Sequence, residues 1–92
     1  MKSQVKVTTS KLFLQIQTEP YVIYGRMGFT PVVDVINVQS GEIGYLIITA
    51  SSLGEVLQAI REENEQKLTG VVISIEKASA QRMSPYVVSR IS

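Results

Sequence analysis

The 92-residue chain contains no cysteine, no histidine and no tryptophan, and Asp34 is its only aspartate. The first two absences exclude disulfides, thiol catalysis, zinc-finger ligation and imidazole acid–base chemistry. No P-loop is present, and Gly25 and Gly28 do not form the phosphate-binding glycine pattern that opens a helix. We therefore expect a binding protein rather than an enzyme, with neither a metal nor a cofactor.

Hydrophobic residues make up 45% of the chain, charged residues make up 18%, and the net charge is +1. These values are typical of one folded domain over residues 1–92, and they exclude a strongly basic, histone-like protein. No stretch reaches the ~18 apolar residues of a membrane span, and no apolar run follows the charged N-terminus. We expect a cytoplasmic protein, or one of the host cytoplasm if its source is viral, with no membrane partner.

The first predicted strand changes its apolar phase partway along. Apolar residues fall on odd numbers from Val5 to Thr9, and on even numbers at Leu12, Leu14 and Ile16. One extra residue near Ser10 would produce this change as a β-bulge in a single bent strand, whereas a tight turn between two strands is the alternative.

The next elements are a loop or broken strand over residues 18–31 and then a hairpin. Gly25, Gly28 and two prolines punctuate the first of these segments. Residues 32–39 and 43–49 are two β-branched runs on either side of a turn that contains Gly41, which predicts a β-hairpin.

One helix is expected after the hairpin. Ser52 and Glu55 have the spacing of a capping box, and Gly70 is expected just past the helix end. Apolar residues at helical spacing predict one buried face, and glutamates predict a solvated opposite face. The apolar positions are Leu53, Val56, Leu57 and Ile60, and the acidic ones are Glu62, Glu63 and Glu65.

Two more strands are predicted, at residues 71–76 and 86–91, with a polar loop between them at residues 77–85. The resulting order, β-β-β-α-β, is that of the OB-fold, a small five-stranded, partly open barrel. A mixed α+β sandwich with the helix across one sheet face is the alternative architecture.

Several side chains in this order suit a surface for single-stranded nucleic acid, on which bases stack on aromatic rings and cations hold phosphates. Phe13 points away from the predicted core, as a stacking platform, because a loop or a partner covers it, or as a simply exposed apolar residue. The 18–31 and 77–85 segments would border the ligand groove, and both mix cations with aromatic or soft side chains. The candidate nucleic-acid-binding residues are Lys11, Phe13, Tyr24, Arg26, Phe29, Lys77, Arg82, Tyr86 and Arg90.

The stretch from Leu68-Thr69-Gly70 to Lys77, followed by Pro85-Tyr86-Val87-Val88, together with the element order, resembles small single-domain OB-fold proteins that bind single-stranded DNA in phages, archaea and archaeal viruses. The chain differs from commoner members in lacking tryptophan and an acidic C-terminal tail. We expect largely sequence-independent binding of single-stranded DNA, with RNA as the alternative ligand, through the stacking and phosphate contacts of the candidate residues. A homodimer is a separate expectation that is compatible with this function, because it would double the groove length and add avidity. A structural or assembly protein, such as a viral accessory subunit that forms a β-rich homo-oligomer, is the alternative.

Overall fold

A computed structural model describes residues 3–25, 28–48, 51–81 and 85–92, and of Ser51 and Ser52 it describes the backbone alone. It is mainly β with one helix, as the sequence predicts, and its seven strands form one sheet. The elements are β1 (Ser3–Gln4), β2 (Leu12–Ile16), β3 (Tyr21–Gly25), β4 (Gly28–Asn37), β5 (Ile43–Ile47), α1 (Ser51–Glu63), β6 (Val72–Lys77) and β7 (Tyr86–Arg90).

The strands are arranged as a Greek key. Their order across the sheet is β1-β5-β4-β2-β6-β7, and β3 pairs with β4 off this path. Strands β2, β4 and β5 follow one another as antiparallel neighbours, and the connection through α1 returns the chain so that β6 lies beside β2. The spatial order of β6, β2, β4 and β5 is that of this motif, with β3 lying in the connection between β2 and β4.

The long strand β4 extends beyond the core. One edge of β4 has two successive partners: its second half pairs with β2, and its first half pairs with β3. The β3 pairing runs from Val32 opposite Tyr21 to Gly28 opposite Gly25. We call residues 21–25 and 28–32 the hairpin arm. The 18–31 segment, expected as a loop or broken strand, is therefore largely a strand pair.

The core lies between α1 and one face of the sheet, which we call the inner face. Leu53, Leu57 and Ile60 of α1 are buried there, as the helical spacing predicts. Glu62 and Glu63 are exposed on the solvated side. The sheet contributes alternate residues from its four central strands, which are Leu14, Ile16, Val33, Val35, Leu46, Ile73 and Ile75.

The N-terminal segment is neither one bulged strand nor a hairpin. Strand β1 pairs in parallel with β5, and the chain then crosses to the end of β6, where the Thr8 carbonyl accepts from Lys77 N at 2.7 Å. Val5 and Val7 pack against the core on this crossing, as the apolar residues at odd-numbered positions predict. The apolar phase changes because this crossing joins two separate strands, β1 beside β5 and β2 between β4 and β6.

The helix end differs from the prediction. Helix α1 ends at Glu63, and the turn that follows has left-handed backbone at Glu65 (φ 56°) and Gln66 (φ 65°), well before Gly70. Arg61 Nε donates to the Gln66 carbonyl at 3.0 Å, so side chains stabilise a turn that usually needs glycine. The predicted capping box involves the Ser52 side chain, which lies outside the described residues.

A closed five-stranded barrel is not observed. The edge strands β1 and β7 have no ladder between them in the described part of the chain. Within the same residues, no helix is long and apolar enough to cross a membrane.

Gly44 fixes the approach of β1 to β5. A Cβ atom at this buried position would lie 2.6 Å from the Ser3 carbonyl oxygen and 3.0 Å from Val5 Cγ2. We expect Gly44→Ala to lower the free energy of unfolding by about 1–3 kcal/mol in urea denaturation, because backbone must move to admit the methyl group.

Gly54→Ala is the matched control for this substitution. A Cβ atom at Gly54, inside α1, would meet only Ile48 Cγ2 at 3.7 Å. Alanine has the higher helix propensity, so this variant should be more stable by up to about 1 kcal/mol. Equal stability of Gly44→Ala and the unmodified protein would contradict the close approach.

Candidate functional site

The most exposed aromatic side chains lie on the hairpin arm. Tyr24 and Phe29 are direct cross-strand partners, and their rings meet edge to face with centroids 5.2 Å apart and an interplanar angle of 67°. Their exposed fractions are 78% and 77%. Arg26 stands between them in sequence and lies outside the described residues. The arm therefore presents two adjacent rings to solvent.

The face of the sheet turned away from α1, which we call the outer face, carries Lys11 and Phe13. Phe13 pairs with Ser74 of β6, and its neighbours Leu12 and Leu14 pair with core residues, so its ring points away from the core as the alternation predicts. The ring is half-buried. Lys11 lies 3.9 Å from the Glu76 carboxylate across the same strand pair, and 52% of its side chain is exposed.

The remaining described candidates lie on the inner-face side. Tyr86 pairs with Lys77 and Arg90 pairs with Ile73, so all three share the side of the buried residues of β6. Tyr86 packs against the core, and Arg90 donates to Asn64 Oδ1 at 3.2 Å. The structure thus does not bring these residues onto one face with Phe13. Arg82 lies outside the described residues.

The two segments expected to border a groove lie at opposite ends of the strands. Strand β2 leads from Lys11 towards the hairpin arm, and β6 runs antiparallel to it and ends at Lys77 beside the start of β2. Between the two ends, the outer face of β2 carries Phe13 and Gln15. Any ligand that contacts both segments would have to cross this part of the sheet.

A buried aspartate lies at the base of the arm. Asp34 is 5% exposed, and its Oδ1 accepts a hydrogen bond from the Tyr21 hydroxyl. The Asp34 amide donates to Thr18 Oγ1 at 3.1 Å, and Tyr45 is its cross-strand partner on the outer face. These contacts hold the first residue of the arm against the sheet.

Sequence reasoning missed Asp34 and Tyr45, although a usable signal was present. In residues 43–47 side chains alternate between the two faces of the sheet. Because Leu46 is in the core, its neighbour Tyr45 must lie on the outer face.

No three Asp, Glu, His or Cys residues come together as a metal site in the described ranges.

Glu19 anchors the corner between β2 and the arm. Its Oε2 accepts hydrogen bonds from the Leu68 amide at 2.8 Å, the Thr69 amide at 2.8 Å and the Thr69 hydroxyl at 2.7 Å. Its Oε1 faces Arg61 Nε at 3.5 Å. Burial opposes ionisation, but the bonds from Thr69 and Leu68 and the Arg61 charge outweigh it, so the pKa of Glu19 lies below its ordinary value.

We expect Glu19→Gln to lower the free energy of unfolding by about 1 kcal/mol at neutral pH, because charge-assisted hydrogen bonds become neutral ones. Because the pKa of Glu19 is lower in the folded than in the unfolded state, its ionised carboxylate stabilises the fold at pH values above the ordinary pKa of 4.5. This stabilisation is lost as the pH falls through the pKa of the folded state. Urea denaturation across this pH range should therefore show the difference from the unmodified protein vanishing in acid.

Glu42→Gln is the control, because Glu42 is exposed and its carboxylate makes no hydrogen bond to the described residues. It should leave stability nearly unchanged at every pH. A Glu19→Gln difference that stays constant into acid would contradict the role of the ionised carboxylate.

Comparisons with known proteins add no candidate for this site. No protein-family model matches the chain, and no curated protein or solved structure matches it. A functional proposal therefore rests on the side chains of the hairpin arm and the outer face.

Proposed function

We propose that this protein binds single-stranded nucleic acid without reading its sequence, with DNA preferred over RNA, and that it is not an enzyme. The observation that carries the proposal is the Tyr24–Phe29 pair at the end of the hairpin arm, where both rings are more than three-quarters exposed. Large aromatic side chains usually bury most of their area, so two adjacent exposed rings mark a contact surface.

Base stacking is the chemistry that this pair supplies best. An edge-to-face arrangement leaves ring surface open on each side chain, and every base has a π-face that can stack on it. Stacking contributes about 1–3 kcal/mol per base and tolerates any sequence. Phe13 offers a further ring on the outer face, with a smaller exposed fraction.

Phosphate contacts would be few. Lys11 can exchange its 3.9 Å contact with Glu76 for a phosphate at little cost, because the ion pair is long and its lysine is half-exposed. Arg26 adds a cation between the two arm aromatics in sequence. With a net charge of +1, affinity should be modest. Each phosphate contact should make the slope of log binding constant against log salt concentration steeper by about 0.7.

The strand order supports an OB-type barrel as the scaffold for this function. Strands β2, β4, β5, β6 and β7 would be its five strands, and the hairpin arm would be the connection between the first two. In that fold the connection between the first two strands borders the oligonucleotide site.

An assembly protein is the second candidate, and the outer face favours it. This face exposes apolar side chains that a partner could cover, namely Val38, Ile43, Val87 and Ile91. Light scattering distinguishes the two functions, because a large defined assembly that ignores nucleic acid fits only this second one.

The test of nucleic-acid binding is a fluorescence-anisotropy titration with a labelled dT oligomer at low salt. We expect saturable binding that weakens with added salt. Tyr24→Ala combined with Phe29→Ala should weaken it by at least about tenfold, since each lost stacking contact is worth about 1–3 kcal/mol. A matched rU oligomer, expected to bind more weakly, reports the preference for DNA.

The matched control exchanges the two rings, Tyr24→Phe with Phe29→Tyr. It preserves composition, ring area and strand propensity, so binding should change by no more than about twofold. No binding of the unmodified protein at low salt would refute the proposal. Equal binding by the unmodified protein and the double-alanine variant would show that the hairpin arm is not the binding site.

A further inference from the structure

Strand β7 leaves one backbone edge unpaired. It pairs with β6 on one side, and no described residue pairs with it on the other. The flanking bonds, Ala78 N to the Pro85 carbonyl at 3.0 Å and Ile91 N to the Val72 carbonyl at 2.7 Å, fix the hydrogen-bonding phase of the ladder. Because the phase alternates, the N–H and C=O groups of Tyr86, Val88 and Arg90 point to the open edge.

Of the free edges among the described residues, that of β7 is the best suited to pairing. Strand β1 has two residues, Ser3 and Gln4. On β3 the same alternation leaves outward-facing backbone groups only at Val22 and Tyr24. Strand β7 contains no lysine, proline or bulge of the kind that protects natural edges.

We propose that the β7 edge binds a second copy of this chain, as an antiparallel β7–β7 pair about a two-fold axis through Val88. In this register Tyr86 lies opposite Arg90 of the second copy, and Val88 lies opposite its own equivalent. Every outward backbone group then finds a partner, which gives about six hydrogen bonds across the axis.

Side-chain complementarity selects this register. On the inner-face side each Arg90 lies opposite a half-buried Tyr86 ring, and its exposed guanidinium can exchange the 3.2 Å hydrogen bond to Asn64 Oδ1 for a cation–π contact. On the outer face Val87 lies opposite Ser89, and Ile91 lies opposite Pro85, so two apolar side chains that are 46% and 54% exposed gain cover. A two-residue shift that centres the axis on Arg90 would instead oppose two arginines.

The paired edge leaves the hairpin arm free, so the proposal is independent of nucleic-acid binding. Two arms on one continuous sheet would add avidity for a strand that spans both. A short edge buries less area than a standard interface, so the dimer should be weak and concentration-dependent.

Sedimentation velocity from micromolar to millimolar protein tests the register with two charge variants. Val87 and Ser89 face solvent on the outer face, so both sites accept charge without disturbing the core. Val87→Lys with Ser89→Lys opposes two lysine pairs across the axis, and it should weaken association by roughly tenfold or more. Val87→Lys with Ser89→Glu opposes lysine to glutamate and should restore the dimer.

The unmodified protein should approach twice the chain mass of 10.2 kDa at the highest concentrations. Circular dichroism and thermal unfolding confirm that both variants remain folded. A monomer at every concentration would overturn the proposal, as would equal association, or equal loss of association, in the two variants.

Discussion

Backbone pairing along β4 determines where the exposed aromatic side chains of this protein lie. Strand β4 has ten residues, and its buried residues begin only at Val32, the fifth of them. Residues 28–31 have β3 as a partner on one edge and project past the buried layer. Because side chains alternate along a strand, this projection exposes Phe29 beside Tyr24 and keeps Asp34 and Tyr21 together at the base. The arm is thus a consequence of strand length.

The arm also depends on contacts made far away in sequence. Glu19 ties its base to Leu68 and Thr69, and Asp34 ties Tyr21 to the sheet. Both are polar interactions at the margin of the core, where a carboxylate still gains from several hydrogen bonds. An arm that is fixed at its base and exposed at its end suits a ligand that needs little buried area, such as stacked bases.

Local patterns predicted the parts of this fold that short-range interactions determine. The β4–β5 hairpin follows from two β-branched runs around Gly41, whose φ is 79°, and the buried helix face follows from the spacing of Leu53 and Leu57. The helix end was wrong because Arg61 stabilises a left-handed turn at Gln66 that glycine usually makes. The N-terminal crossing depends on a close approach of Ser3 to Gly44, which no local pattern contains.

The alternation along β2 predicted the face of Phe13, but no sequence pattern predicted the faces of Tyr86 and Arg90. Strand β7 places Tyr86 and Arg90 on the inner-face side because of its register with β6, and that register depends on the connecting loop.

Ring-proton NMR during titration with a dT oligomer is the most direct test of the central claim, that bases stack on the rings of the hairpin arm. Tyr24 and Phe29 should show the earliest and largest upfield shifts, while Tyr86 stays nearly unchanged. Binding that shifts Tyr86 and leaves the arm rings unaffected would contradict it.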